Sequence, residues 1–264
     1  MPYLETPDGV PIFYLDEGPS TDDAVFLIHA EPFNSAFWQR NIPGLSQDRR
    51  VVSVDVRGRG QSGKTDHGHN IAQYARDFRH VMDTLSLRRV VAVGWSLGGS
   101  VIVDYIQQFG EDRLAGHVNV DQRLYRYVSE EDFKRRLNDL TNRRLRLHRE
   151  TVLSYLGPES KESSAVSDWM AYECMKTPTG AHVSLMTDSY YADYRPFLPR
   201  VTVPSRIFWA RYGLIAPAEA EEMAGAMPSC ELVFFEHSGH LLPWTEADKF
   251  NRELGSFARE ALGS

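Results

Sequence analysis

The sequence VVAVGWSLGG at residues 90–99 decides how the rest of the chain is interpreted. Four apolar residues lead directly into a G-x-S-x-G motif, and a helix pattern follows at once over residues 98–109. In that context the serine sits on a tight, strained turn between strand and helix, where flanking glycines avoid side-chain clashes. Ser96 is therefore the first candidate nucleophile. An ordinary strand-to-helix turn is the alternative.

Outward from this motif, short apolar runs alternate with amphipathic stretches. Six runs are predicted to be strands, at residues 25–28, 51–54, 90–93, 117–120, 206–209 and 232–235. Helices are predicted at residues 71–85, 98–109, 216–227 and 246–262. This alternation favours an α/β fold with a mainly parallel central sheet flanked by helices. Ligands of such sheets bind beyond the carboxyl ends of the strands, so the polar residues there are the candidates.

Residues 124–198 break this rhythm with a polar, basic helix pattern at 130–151, another at 163–176, and then a tyrosine-rich segment. Because this insertion follows the carboxyl end of a strand, we predict a helical cap above the active-site edge. The cap would be part of a single α/β domain of residues 1–264. Its arginines are interspersed with acids, which is typical of a solvated helix face; an anion-binding pocket wall is the alternative.

A serine hydroxyl is a weak nucleophile, so a histidine is expected after the last strand to act as its base. His240 fits, because it follows Ser238 and Gly239 and precedes the C-terminal helix pattern. His237 competes, but it adjoins the strand and lacks a preceding glycine. Other histidines are interpreted as surface or cap residues, namely His67, His69, His80, His148 and His182.

Two further motifs occur in the same order as in a known family. HAEP at residues 29–32 is similar to an H-G-x-P loop, and DVRGRGQS at residues 55–62 matches a D-x-R-G-x-G-x-S segment. With the serine motif and Ser-Gly-His, they make the whole chain resemble the α/β-hydrolase superfamily, in particular its cofactor-free haloperoxidase-like and esterase-like branch. The resemblance implies an α/β-hydrolase fold.

The same resemblance implies an oxyanion hole built from the backbone N–H groups of Leu97 and Glu31. Two residues of the loop at residues 29–32 depart from the family pattern. Ala30 occupies a position where the family usually has glycine, and Glu31 brings an acid close to a site that should stabilise negative charge. We expect the Glu31 carboxylate to point to solvent or to pair with an arginine; facing the site is the alternative.

The third member of a Ser-His-acid triad is displaced. In most relatives the acid follows the strand predicted here at 206–209, yet residues 210–215 read ARYGLI, with Gly213 at the expected place. A minority of the family take the acid from the end of the preceding strand, where this chain has Asp121. The resemblance therefore implies Asp121 as the acid that orients His240. A strand-end cap role for Asp121, with Glu219 or Glu221 as the acid, stays open.

Aromatic and apolar residues fall near strand ends or in the cap, where they would line a pocket that accepts a ring. The predicted pocket residues are His29, Ala30, Phe33, Trp38, Trp95, Tyr125, Trp169, Tyr190, Leu214 and Leu241. Tyr127, Tyr191 and Trp244 share the pattern. Packing in the core explains some of these residues equally well.

Composition narrows the classes of partner. The net charge of −7 argues against a general nucleic-acid or anionic-membrane surface, so a small-molecule substrate is expected. The two cysteines, Cys174 and Cys230, lie far apart without the spacing of a metal site, and no metal or other cofactor is predicted. The N-terminus lacks a signal-peptide pattern and no stretch approaches a membrane span, so we expect a cytoplasmic protein. A homodimer stays open.

These features favour a hydrolase that cleaves an ester, lactone or related acyl bond of a small aromatic or apolar molecule through an acyl-enzyme. A cofactor-independent oxygenase, a perhydrolase or a C–C bond-cleaving enzyme is the first alternative, with His240 and Asp121 as a base dyad. A ligand sensor on the same fold is the second. The sequence alone does not separate them.

Overall fold

The computed structural model describes residues 2–125 and 128–263, and over these residues the strands form one eight-stranded sheet. The strands are β1 (Tyr3–Glu5), β2 (Pro11–Glu17), β3 (Asp23–Ile28), β4 (Val51–Val54), β5 (Arg89–Trp95), β6 (Leu114–Val120), β7 (Ser205–Tyr212) and β8 (Cys230–Gly239). Their order across the sheet is β1-β2-β4-β3-β5-β6-β7-β8.

Strands β3 to β8 are parallel, and the β1–β2 hairpin joins them antiparallel through β2 and β4. All four residues of β4 are buried, as are six of the seven in β5, because helices cover both faces of the sheet. The predicted α/β fold is confirmed, and each of the six predicted apolar runs lies within a strand. The hairpin was not predicted.

The helices are α1 (Ile42–Leu45), α2 (Ile71–Thr84), α3 (Leu97–Phe109), α4 (Glu130–Asn142), α5 (Arg144–Leu156), α6 (Ser164–Cys174), α7 (Thr179–Tyr191), α8 (Pro217–Ala226), α9 (Leu242–Thr245) and α10 (Ala247–Leu262). Short 3-10 helices span Ser35–Trp38 and Arg195–Arg200. The Asn70 side chain caps α2 by accepting from the N–H of Gln73 at 2.7 Å. The pattern predicted at residues 130–151 is two helices, because the backbone of Arg143 (φ −139°, ψ 33°) leaves the helical conformation.

Alternate side chains of the strands feed two apolar cores, one on each face of the sheet. In β3, Phe26 and Ile28 pack into one core, whereas Val25 and Leu27 pack into the other. The period of two therefore distributes a continuous apolar run between both faces.

Helices α4 to α7 belong to the segment between β6 and β7, which pair directly in the sheet. Three of these helices, α4, α5 and α7, contribute side chains to the cavity that Ser96 also lines. None of the helices in the described part of the chain has the length and apolarity that crossing a membrane requires.

Candidate active site

Ser96 lies between the end of β5 and the start of α3 with φ 52° and ψ −127°, a conformation that L-residues rarely adopt. Its flanking glycines are sterically required. A Cβ on Gly94 would lie 2.3 Å from the backbone of Gly98, and a Cβ on Gly98 would lie 2.6 Å from the carbonyl oxygen of Ile28. The N–H of Ser96 donates to the carbonyl of Val120 at 2.8 Å, which fixes the turn against β6. The turn presents Ser96 to a cavity of about 380 Å³.

Asp121 and His240 form a buried pair at the ends of β6 and β8. Asp121 Oδ2 lies 2.7 Å from His240 Nδ1, and neither side chain is more than 1% exposed. Asp121 has φ 50°, and its backbone N–H donates to the carbonyl of Phe208 at 2.8 Å, which fixes the residue against β7. The N–H of Leu214 also donates to Oδ2, at 2.7 Å. A carboxylate held in this position can orient an imidazole and stabilise a positive charge on it.

Gly213 lies beside the Asp121 carboxylate and leaves room for it. A Cβ at Gly213 would lie 2.4 Å from Oδ2 of Asp121 and 2.5 Å from its Oδ1. Any side chain at position 213 would displace the carboxylate. The Asp121 carboxylate therefore occupies the space that a side chain at position 213 would need. The alternative acid Glu219 is engaged elsewhere, because it accepts from Arg123 Nε and from the N–H of Ala216, each at 2.7 Å.

The backbone around His240 is held from two directions. Trp95 Nε1 donates to the carbonyl of His240 at 2.9 Å, and the N–H of Leu241 donates to the carbonyl of Tyr155 on α5 at 2.9 Å. The Tyr155 ring meets the imidazole edge-on, with centroids 4.4 Å apart. His240 Nε2 is buried and has no hydrogen-bond partner within residues 2–125 and 128–263, including Ser96. Hydrogen bonds between a nucleophile and its base are often long before substrate binds.

The two predicted oxyanion-hole residues, Leu97 and Glu31, both line the cavity with Ser96. Leu97 is the first residue of α3, whose N-terminal N–H groups have no partner inside the helix. Neither the N–H of Leu97 nor that of Glu31 donates to another group of the described chain. Two donors are therefore available to an oxygen that becomes negative near Ser96.

The Glu31 carboxylate pairs with an arginine, which is one of the two arrangements expected from the sequence. Its Oε2 accepts from Nε of the fully buried Arg59 at 2.6 Å, and the glutamate side chain is only 11% exposed. Burial raises the pKa of the Glu31 carboxyl, whereas the charge of Arg59 opposes that shift. Glu31 is therefore present in the loop after β3 as part of a buried ion pair rather than as a solvated charge.

Two predicted pocket residues, Tyr125 and Tyr190, line the cavity, and eight lie elsewhere. Tyr127 lies outside the described residues. Phe33, Trp38 and Trp95 are at most 1% exposed and pack on one another, with the Phe33 and Trp95 rings stacked at 5.1 Å. The prediction that these three line the pocket is corrected, because they form the aromatic core beneath the strand ends and are not among the residues that line the cavity.

The other five are occupied by structural contacts. His29 joins two loops, since its Nδ1 lies 2.9 Å from the Ala30 carbonyl and its Nε2 accepts from the N–H of Val56. Burial lowers the pKa of His29 to about 4, and Ala30 is fully buried. Trp169 stacks on Phe37 at 5.3 Å. Leu214 and Leu241 donate hydrogen bonds through the backbone N–H groups described above. Neither residue lines the cavity, so their predicted place in the pocket is corrected as well.

Two histidines that the sequence analysis assigned to the surface or cap line the cavity instead. His148 on α5 and His182 on α7 are 2% and 5% exposed, so they are cap residues but not surface residues. No local motif marks them. The one available signal is the spacing of Arg144 and His148, four residues apart on one helix face, which is too common to be diagnostic.

The sequence from residue 23 to residue 247 matches a family model described as the alpha/beta hydrolase fold. The chain is 28% identical to a bifunctional esterase/perhydrolase of Acinetobacter calcoaceticus, over 98% of this chain and 100% of that protein. It is 26% identical to a non-heme chloroperoxidase of Kitasatospora aureofaciens, over 97% and 99% of the two chains. An esterase structure from Exiguobacterium antarcticum superimposes with a TM-score of 0.90 at 21% identity, covering 97% of this chain and 98% of that one.

Proposed function

The chain belongs to the α/β-hydrolase family, and from this premise we propose that it is a serine hydrolase that cleaves an ester, lactone or related acyl bond of a small molecule. Ser96 is the nucleophile, His240 the general base and acid, and Asp121 the acid that orients the imidazole. The observation that carries this proposal is the buried 2.7 Å contact between Asp121 Oδ2 and His240 Nδ1 at the strand edge that also holds Ser96.

In the first half of the reaction, Ser96 Oγ attacks the carbonyl carbon while His240 Nε2 accepts its proton. The carbonyl oxygen becomes negative and is met by the N–H groups of Leu97 and Glu31. The imidazolium then donates its proton to the leaving oxygen, and an acyl-enzyme remains. Asp121 favours the tautomer with hydrogen on Nδ1, which leaves Nε2 available as the acceptor.

In the second half, His240 takes a proton from water, the hydroxide oxygen attacks the acyl carbon, and Ser96 leaves with its proton restored. The cavity of about 380 Å³ is large enough for a small ester or lactone. Tyr125 and Tyr190 supply aromatic surface to that cavity, which supports an aromatic or apolar group in the substrate.

Perhydrolysis is a second candidate, favoured by the likeness to the esterase/perhydrolase of Acinetobacter calcoaceticus along nearly the whole chain. Hydrogen peroxide would attack the same acyl-enzyme in place of water and release a peracid. The first half of the reaction is unchanged, so the two activities differ only in the second nucleophile.

Trapping the acyl-enzyme tests the proposal. Wild-type protein mixed with 4-nitrophenyl acetate and quenched in acid should gain one acetyl group, mapped by peptide mass spectrometry to Ser96. Ser96→Ala should gain none, and added peroxide should yield peracetic acid if the second candidate holds. Turnover without an acetyl group on Ser96 would instead favour a His240–Asp121 base dyad, and neither turnover nor acylation of any ester or lactone in a panel would favour a ligand sensor.

A further inference from the structure

The cavity above Ser96 carries a group of polar side chains that the proposed reaction does not use. Glu31, His148 and His182 all line it, and they come from the loop after β3 and from helices α5 and α7. The His148 and His182 rings lie parallel with centroids 5.6 Å apart. His182 Nε2 lies 3.4 Å from Glu31 Oε1, so the three side chains adjoin one another.

Each of these side chains presents a buried polar atom that lacks a hydrogen-bond partner in the described part of the chain. The atoms are Glu31 Oε1, His148 Nε2 and His182 Nδ1. A buried polar atom left unpaired costs roughly 1–3 kcal/mol, and native proteins rarely leave several together. Three such atoms around one cavity indicate that something bound in the cavity completes their hydrogen bonds.

The charges of the group restrict what that ligand can be. Burial lowers the pKa of His148 to about 4 and holds the pKa of His182 well below its usual range, so both rings are neutral at pH 7. A neutral imidazole offers one donor and one acceptor nitrogen. Glu31 Oε1 belongs to a carboxylate whose other oxygen is held by Arg59, and it offers only an acceptor.

A hydroxyl group satisfies this arrangement, because its hydrogen can go to Glu31 Oε1 while its oxygen accepts from an imidazole N–H. A carboxylate would meet the carboxylate of Glu31. Three arginines do line the cavity, namely Arg123, Arg135 and Arg136, but they come from the loop after β6 and from α4, and Arg123 pairs with Glu219 and Arg135 with Asp132. The two arginines nearer Glu31 are engaged, Arg59 with Glu31 itself and Arg144 with the carbonyls of Met175 and Thr177. A hydrocarbon would leave all three atoms unpaired.

We propose that Glu31, His148 and His182 form a polar subsite that binds an uncharged hydroxyl group of the substrate. Resting on the proposed acyl hydrolysis, this names the substrate class as hydroxylated esters or lactones. The apolar part of the substrate lies against the tyrosines of the same cavity.

The test separates binding from turnover by using Ser96→Ala protein. The probes are the methyl esters of 2-, 3- and 4-hydroxybenzoate and their methoxy counterparts, with dissociation constants measured by calorimetry. At least one hydroxy isomer should bind about tenfold tighter than its methoxy partner, since a missing hydrogen bond leaves the subsite unpaired. This comparison needs no substitution in the subsite, so it stands even if a variant fails to fold.

His148→Phe and His182→Phe, each in the Ser96→Ala background, keep a flat ring but remove the nitrogens, and the preference should fall to about threefold or less. His80→Phe, at a half-buried histidine on α2 outside the residues that line the cavity, is the matched control and should retain the preference. Equal binding of every hydroxy and methoxy pair would overturn the subsite, as would a preference that both variants preserve.

If the wild type hydrolyses esters without any hydroxyl preference, the subsite is wrong and the proposed function stands. If a preference appears without turnover of any ester, the proposed function is wrong and the subsite stands.

Discussion

The two walls of the cavity contrast in how their side chains are held. At the strand edge, Asp121 Oδ2 is fixed by His240 and by the N–H of Leu214, and strained backbone at Ser96 and Asp121 sets the direction of each side chain. On the cap side, His148 and His182 come from two helices and keep nitrogens that are unpaired among the described residues. At the strand edge the contacts that fix Asp121 and the imidazole are already in place, and His240 Nε2 is left unpaired there, whereas in our proposal a ligand pairs the nitrogens of the cap wall. On this proposal the sheet carries the chemistry and the cap selects the substrate.

The largest expected effect comes from breaking the strand edge itself. Ser96→Ala and His240→Ala should each lower kcat by at least about 10⁴, because nucleophile and base act as one unit. For the same reason the double variant should be no worse than either single variant by more than about threefold. Steady-state kinetics on 4-nitrophenyl acetate measures both. His237→Ala, an exposed histidine paired with Glu159, is the control and should keep wild-type activity. Losses that multiply in the double variant would argue that the two residues act separately.

Asp121→Asn is expected to lower kcat by roughly 10³ to 10⁴, because the amide favours the wrong imidazole tautomer. The fold should persist, since the side chain changes little in size. Glu221→Gln, at an exposed position on α8, is the control and should leave kcat within about threefold. A near-normal Asp121→Asn enzyme would remove Asp121 from the mechanism while leaving Ser96 and His240 in place.

The space beside Asp121 gives a sharper test. Gly213→Ala should lower kcat by about 10²-fold, because its Cβ would displace the carboxylate by an ångström or so, and misplacement on that scale costs about this much. An aspartate at position 213 needs the same space, so it should restore part of the activity in an Asp121→Gly background and none in Asp121→Asn. Gly225→Ala, where a Cβ meets no atom within 4 Å, is the matched control. Wild-type kcat in Gly213→Ala would contradict the tight fit.

The sheet beneath the strand edge carries an acid-sensitive group. Burial lowers the pKa of His117 on β6 to about 4 from 6.5, and both ring nitrogens lack partners in the described chain. Between pH 6.5 and 4 the unfolded chain binds a proton that the folded chain excludes, so stability falls as the pH drops through this window. From pH 7.5 to 5.0 the His117 contribution is about 2 kcal/mol, at 1.36 kcal/mol for each pKa unit. Urea unfolding of His117→Leu should show a pH dependence smaller by that amount. If the pH dependence of the unfolding free energy is the same in His117→Leu as in the wild type, groups other than His117 cause it.

The contrast between the two walls also explains what the sequence could predict. The residues at the ends of β3, β5, β6 and β8 follow apolar runs that are easy to locate, and parallel strands bring their carboxyl ends to one edge. Asp121 could also be predicted as the candidate acid, but only through the family resemblance, since the segment after β7 lacks a carboxylate and a minority of the family take the acid from the preceding strand. The β1–β2 hairpin was missed although its strand PIFYLDE contains the apolar run IFYL at residues 12–15, so the signal was present and was not used.

The pocket was the part that the sequence predicted poorly. Aromatic residues near strand ends, such as Phe33 and Trp95, looked like pocket residues but pack beneath the edge, because nothing local distinguishes a buried ring from one that lines a cavity. His148 and His182 were assigned to the surface or the cap without a place in the pocket, for the converse reason. Their meeting depends on how α5 and α7 pack, which no spacing along the chain encodes.

The most direct test of the central claim, that Asp121 and His240 activate Ser96, is the rate of covalent labelling by a fluorophosphonate probe, with the site mapped by peptide mass spectrometry. The account predicts a single labelled residue, Ser96, and a rate at least about 100-fold slower in Asp121→Asn, because the probe reacts only with an activated hydroxyl. No label on Ser96, or an equal rate in the two proteins, would contradict it.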